Sequence, residues 1–99
     1  MKLPKSIKIG SRKYTIEMEE RIVSEDGCRL AGEINHHKLV IKLDPDRADD
    51  AVREVLLHEI LHGVCDLNAD DPEEVFVMRT ATALSTVFLD NPELLELWR

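Results

Sequence analysis

The chain has 99 residues, of which 43% are hydrophobic and 33% charged, and its formal net charge is −7 at pH 7. This composition is typical of a globular protein and excludes collagen-like and low-complexity disordered classes. The length predicts a single domain, residues 1–99, and the negative charge argues against nucleic acid or an anionic membrane surface as a partner.

The sequence has no segment typical of secretion or of membrane insertion. The basic start "MKLPKSIKIGSRKY" lacks the apolar run of a signal peptide, and no later segment approaches the roughly 20 apolar residues of a membrane span. Cys28 and Cys65 are too few and too far apart to indicate a disulfide framework. We therefore expect a cytoplasmic protein with two unpaired thiols.

The first 43 residues are typical of β-strands. Apolar residues alternate in "SIKIG" and "KYTIEM", which predicts a hairpin with "GSRK" as its turn. A second pair, "CRLAGEI" and "LVIKL", is separated by the turn "NHHK". We expect three or four antiparallel strands in a small antiparallel or mixed sheet.

The second half of the chain is typical of helices. Apolar residues at helical spacing predict a helix from about Ala48 to Leu67, capped by Asp44 or Asp46. The fold class is therefore α+β, with the sheet packed on this helix and on a second, C-terminal one.

After the break "NADDP", a second helix is predicted with Asp71 as N-cap, Pro72 at the first helical position and Glu74 as capping-box partner. "DNP" ends this helix, and the short terminal segment "ELLELWR" is expected to close the core with Leu94, Leu95 and Trp98. The predicted apolar face of the second helix comprises Phe76, Val77, Thr80, Ala81, Ala83, Leu84, Val87 and Phe88.

The stretch "HEILH" inside the first predicted helix carries the strongest chemical signal. His58 and His62 are four residues apart, so both imidazoles lie on one helical face and can reach a single Zn²⁺. Glu59 follows the first histidine, rotated about 100° around the helix, where a carboxylate can accept a proton from a zinc-bound water. The pattern predicts two zinc ligands and a catalytic base.

A catalytic zinc normally has three protein ligands, and the third must come from another part of the chain. Glu73 falls at the centre of the apolar arc of the second helix and is favoured, ahead of Glu74 near the edge of that arc. Asp70 and Asp71 remain alternatives. Cys65 is a weaker candidate because a buried cysteine is usually a small apolar residue.

Other residues have ordinary structural interpretations. His36 and His37 are expected to be exposed turn residues, with an oxyanion-stabilising donor at the cleft rim or adventitious metal binding as the alternatives. Tyr14 is expected in the core. Gly63 is expected to permit close approach of the second helix.

Three segments, "LLHEILHGV", "DPEEV" and "FLDNPELLELW", resemble the small HExxH metallopeptidase-like proteins of phages and prophages. These are similar to minigluzincins and, more distantly, to ImmA/IrrE-type peptidases. The resemblance implies a zincin-like fold in which His58 and His62 bind zinc and Glu59 is the base. It implies that the third ligand is a glutamate of the following helix, here Glu73 or Glu74, although larger gluzincins place that glutamate farther along the chain.

The resemblance also implies that the strand "KLVIKL" runs along the cleft, where an extended peptide adds as one more strand. In minigluzincins a terminal segment can occupy the cleft and hold the enzyme latent, so "NPELLELWR" is a candidate for that role. The expected function is hydrolysis of peptide bonds in a peptide or protein substrate, by a monomer or weak homodimer. The alternatives are a non-catalytic zinc-binding or peptide-interaction module, and a metal-free interaction subunit.

Overall fold

The computed structural model describes residues 1–99 and has an α+β fold with a four-stranded mixed sheet and two α-helices. The strands are β1 (Ser6–Ile9), β2 (Arg12–Met18), β3 (Ile22–Val23), β4 (Arg29–Leu30), β5 (Gly32–Asn35) and β6 (Val40–Leu43). The helices are α1 (Asp49–Leu67) and α2 (Glu74–Asp90), followed by a C-terminal 3₁₀ helix, Leu94–Trp98.

The main sheet has the strand order β1-β2-β6-β5, and β3 and β4 form a separate two-stranded pair. The predicted hairpins are present, since β1 pairs antiparallel with β2 and β5 with β6. The central pair, β2 and β6, is parallel. The prediction that all strands are antiparallel is therefore wrong. The chain passes through β3, β4 and β5 before β6 pairs with β2 in the parallel direction.

The core lies between the centre of the sheet and α1. Its fully buried members come from strands β1, β2 and β6 and from the first turn of α1. As predicted, Tyr14 is in this core and has no exposed surface. The cluster comprises Ile9, Tyr14, Ile41, Leu43 and Val52.

Helix α1 begins at Asp49 after Ala48 and has no side-chain cap, so the prediction that Asp44 or Asp46 caps it is wrong. Asp44 is buried before the helix, where its carboxylate accepts hydrogen bonds from the Asp46 backbone N–H at 2.9 Å and from Arg29 Nη2 at 2.9 Å. These two donors hold the pKa of Asp44 below its usual range.

Gly63 of α1 faces the sheet and not the second helix, contrary to the prediction. A Cβ atom there would lie 2.7 Å from Ile9 Cδ1 and 3.3 Å from Ile34 Cδ1. The missing side chain therefore sets the distance between α1 and the strands, which in turn sets the distance between the "HEILH" residues and β5.

Helix α2 begins at Glu74, and the predicted Asp71 cap and its capping box are wrong because residues 70–73 are not helical. These residues form the link that reverses the chain after α1. Helix α2 packs chiefly against α1 and makes little contact with the sheet, so it buries only a narrow face. Val77 is 1% exposed, whereas Phe76, predicted on the same apolar face, is 61% exposed.

The C-terminal 3₁₀ helix lies beside the end of α2, where Leu94 and Leu97 line a surface depression with Val87 and Asn91. Leu95 and Trp98 are exposed, Trp98 by 77%, so the prediction that they close the core is wrong. Neither α1 nor α2 combines the length and the hydropathy that a membrane-spanning helix requires.

Candidate metal centre

Helix α1 places His58 and His62 one turn apart with their rings turned toward each other. The two Nε2 atoms are 3.2 Å apart and the ring centroids 4.9 Å apart. Both residues are half-buried, and both line a cavity of about 610 Å³ between α1 and β5. The helical spacing of "HEILH" thus brings both nitrogens to one point on the wall of a cavity.

Glu74, the first residue of α2, meets this pair of histidines. Its Oε1 lies 2.6 Å from His58 Nε2 and its Oε2 lies 2.9 Å from His62 Nε2. One ligand atom from each of the three residues lies within 4.8 Å of the other two. Glu73 precedes the helix and is outside this group, as are Asp70, Asp71 and Cys65. The geometry therefore supports Glu74, and not the favoured Glu73, as partner of the histidines.

The three residues fit a zinc ion by chemistry and by spacing. Two imidazole nitrogens and a carboxylate oxygen form a donor set that catalytic zinc takes, and tetrahedral bonds of about 2.0–2.1 Å put two ligand atoms about 3.3 Å apart. The separation of 3.2 Å between the two Nε2 atoms matches that value. The Glu74 carboxylate oxygens lie closer to the histidines, at 2.6 and 2.9 Å, which are hydrogen-bond distances, and Glu74 is exposed at the start of its helix.

Glu59 lines the same cavity although its side chain belongs to the buried part of α1. Only 7% of the residue is exposed. Burial, followed by the negative charges of Glu74 and Glu33, raises the pKa of Glu59 to about 7. A carboxyl with this pKa exchanges its proton near neutral pH, as a general base requires.

Gly32 on β5 makes room for the Glu59 carboxyl group. A Cβ atom at position 32 would lie 3.3 Å from Glu59 Oε2, 3.1 Å from the Lys42 carbonyl oxygen and 2.5 Å from Val55 Cγ1. A Cβ atom at the last distance requires the Val55 side chain, or the helix that carries it, to shift. A glycine in a strand is the sequence signal of such a close approach, although apolar periodicity alone does not identify it.

Strand β5 forms one wall of the cavity and is the outer strand of the sheet. The strand "KLVIKL", expected along the cleft, is mostly β6, which is internal because it pairs with both β2 and β5. The expectation that this strand borders the cleft is therefore wrong, because β5 is the edge strand and β6 is the next strand inward. Residues 32–34 of β5 line the cavity, with Glu33 as the charged member.

His36, in the turn after β5, is half-buried and lines the cavity, so the prediction that it is an exposed turn residue is wrong; His37 is exposed, as predicted. His36 Nδ1 lies 3.1 Å from the Tyr14 hydroxyl oxygen, and the two rings meet edge-on at 85°. This contact between Tyr14 and His36 is not predictable from the sequence, because the two residues meet only when β2 and β6 pair in parallel.

An ion pair lies behind His36. Arg12 Nη1 donates to Asp66 Oδ2 at 2.5 Å, and the same oxygen is 3.9 Å from His36 Nδ1. The hydrogen bond from Arg12 holds the pKa of Asp66 below its usual range. This pair joins the start of β2 to the end of α1. Asp66 also lines a second cavity, of about 410 Å³, which shares His36 and His62 with the first.

Comparisons with known proteins found no match for this chain, whether among protein-family models, curated proteins or solved structures.

Proposed function

We propose that this chain is a small zinc metallopeptidase of the zincin type, similar to the minigluzincins, which hydrolyses peptide bonds. The observation that carries the proposal is the convergence of His58, His62 and Glu74 at the wall of a cavity that also contains the buried Glu59. A purely structural zinc site has no need of an additional carboxyl group beside its ligands.

His58 and His62 would hold the ion from α1, and Glu74 from α2. Zn²⁺ bound there would supply a Lewis acid and lower the pKa of a water molecule. Glu59 would accept a proton from the water molecule that attacks the peptide carbonyl carbon. Glu59 would then pass that proton to the departing amine.

The substrate would be an extended peptide lying along β5. As the outer strand of the sheet, β5 has one edge that is not paired within it, and backbone groups on that edge can pair with an added strand. Because residues 32–34 also line the cavity, a peptide held in this way passes beside Glu59 and the two histidines. This arrangement positions a peptide bond mainly through its backbone.

The experiment is elemental analysis of protein purified without added metal, combined with an assay on a peptide library. We expect about one zinc per chain, lost in His62→Ala, and peptide cleavage that Glu59→Gln abolishes while retaining zinc. Glu59→Gln should bind zinc because it leaves the three ligands intact. Absence of zinc from the wild-type protein would contradict the proposal.

The same experiment discriminates the rival function. Zinc bound at this stoichiometry, with no cleavage of any library peptide by the wild type, would support a non-catalytic zinc-binding or peptide-interaction module of the same fold. Binding of library peptides to that inactive protein would then identify the interaction class.

A further inference from the structure

Helix α2 offers few polar groups to the solvent that surrounds most of it. Only three of its 17 residues are charged, and one of these, Glu74, contacts the two histidines. Its three threonines donate their hydroxyl hydrogens to carbonyl oxygens of the same helix, four residues earlier, at 2.7, 3.0 and 3.2 Å. These hydroxyl groups therefore need no water as acceptor. A helix with so little polar surface is typical of a position that is covered on all sides.

One side of α2 carries a continuous row of uncharged side chains that no part of the chain covers. Phe76, Thr80, Ala83 and Val87 follow at intervals of four, three and four residues, so they lie within about 60° of one another around the helix. Phe76 is 61% exposed and Val87 is 41% exposed. The row lies about a quarter of a turn from the buried Val77.

This row, here the α2 row, extends onto the C-terminal 3₁₀ helix, because Val87 shares a surface depression with Leu94 and Leu97. Leu97 is 76% exposed. With roughly 150–200 Å² as the full accessible area of a large apolar residue, the row and its extension expose about 400 Å². Two such surfaces in contact bury about 800 Å², and polar residues at their edges bring the total toward the ~1,200 Å² of the smallest stable interfaces.

The α2 row is complementary to itself. Its side chains are large, small, small and large in chain order, and both the sizes and the intervals are the same from either end. When two copies of α2 pack antiparallel, Phe76 lies against Val87 of the second copy at both ends, and Thr80 faces Ala83 in the centre. Small residues at the centre let two helices approach to about 8–10 Å. A two-fold symmetric interface requires this kind of self-matching.

The charge distribution favours a second copy at this surface and not a membrane. The formal net charge of −7 makes two copies repel each other over most of their surfaces. The α2 row carries no charge, so this repulsion is weakest where the apolar area is exposed. An apolar helix face that binds an anionic membrane is normally flanked by several cations, whereas Arg79 is the only cation of α2.

We propose that this chain forms a weak symmetric homodimer through the α2 row, with the two α2 helices antiparallel about a two-fold axis. Glu74 lies about 150° around the helix from the centre of the row, so the pairing leaves the cavity beside the histidines open. The inference does not depend on the proposed peptidase function.

The first test is sedimentation velocity of the full chain at increasing concentration. The wild type should shift from the 11.3 kDa monomer to a dimer, with a Kd of about 10–100 µM as for a small interface. Phe76→Arg and Val87→Arg should each weaken association at least 30-fold, because each buries a charge at both ends of the interface. Met78→Arg is the matched control, since Met78 is 51% exposed and lies on the opposite side of α2, and it should stay within threefold of the wild type.

Circular dichroism and the thermal unfolding midpoint, measured at a concentration well below the Kd, confirm that each variant is folded. A wild type that stays monomeric up to about 500 µM would overturn the inference, since even a small specific interface associates there. Equal weakening by Phe76→Arg and Met78→Arg would also overturn it, because the contact would then lie elsewhere on α2. Flotation of a monomeric wild type with phosphatidylcholine vesicles, lost in Phe76→Arg, would assign the row to a lipid surface instead.

The second test reports the orientation of the pair. Phe76→Cys and Val87→Cys are made separately in a chain whose two native cysteines are replaced by serine, and the two proteins are mixed under mild oxidation. Antiparallel packing places position 76 beside position 87 of the second copy and separates identical positions by about 16 Å along the axis. Because a disulfide needs Cα atoms within about 7 Å, the mixture should give the mixed disulfide and neither protein should cross-link alone. Cross-linking of either protein with itself, or none in the mixture, contradicts the proposed packing.

Discussion

Replacement of Glu59 by glutamine should stabilise the metal-free protein at neutral and alkaline pH. The carboxyl has a pKa of about 7 in the folded protein and 4.5 as its ordinary value. Because the folded-state pKa is the higher one, the unfolded chain loses this proton first as the pH rises. The native state therefore has its full stability below about pH 4.5 and loses part of it as the pH rises toward and through 7.

The size of the effect follows from the two pKa values. The difference between 4.5 and about 7, at about 1.4 kcal/mol per pKa unit, corresponds to about 3 kcal/mol of stability lost by pH 8. At pH 5 the loss is below about 1 kcal/mol, because the unfolded carboxyl is then only partly ionised. Glutamine has nearly the same shape and no charge, so Glu59→Gln should remove this pH-dependent loss.

The assay is urea unfolding of chelator-treated wild type and Glu59→Gln at half-unit steps from pH 5 to 8, with Glu93→Gln, an exposed position, as control. The free energy of unfolding of Glu59→Gln should exceed that of the wild type by an amount that grows with pH, while Glu93→Gln runs parallel to the wild type. Parallel curves for wild type and Glu59→Gln over this range would refute the reasoning, because Glu59 would then titrate alike in the folded and unfolded chain.

Three further predictions concern the site and its scaffold. Glu74→Gln should lose most of the bound zinc by elemental analysis while Glu73→Gln keeps it, and the reverse result would restore the ligand favoured from the sequence. Gly32→Ala should destabilise the fold by about 1–3 kcal/mol in urea unfolding, since its Cβ has no room, and an unchanged midpoint would mean that β5 and α1 are not held at this distance. Val77→Ala should cost about 2 kcal/mol and Phe76→Ala less than about 0.5 kcal/mol in the same assay, because the first is buried and the second exposed; equal costs would show that α2 packs through a different face.

The parts of the structure that the sequence predicted are governed by local patterns. Alternation of apolar residues identified the β1–β2 hairpin, and the i, i+4 spacing of His58 and His62 placed two nitrogens together, because both patterns are set within one element. The helical extent of α1 was predicted to within a residue at each end.

The errors arose where distant segments meet. The third partner of the histidines depends on where α2 begins, and the link of residues 70–73 shifted that start by two residues, so that Glu74 and not Glu73 faces α1. The parallel pairing of β2 with β6 has no local signature, and it decides both that β5 is the edge strand and that His36 meets Tyr14. Single-sequence periodicity carries no information on such pairings.

The packing of α2 against α1 alone has a consequence for motion. The site draws two of its proposed ligands from α1 and one from α2, and α2 has few other contacts that would hold it in place. Helices attached through a single interface open as separate cooperative units, at a lower free energy than global unfolding. A ligand that bridges such a unit to the rest of the protein adds its binding energy to the closed form. Zinc should therefore slow amide hydrogen exchange throughout α2 far more than in the central strands β2 and β6, so that metal release and undocking of α2 are one event.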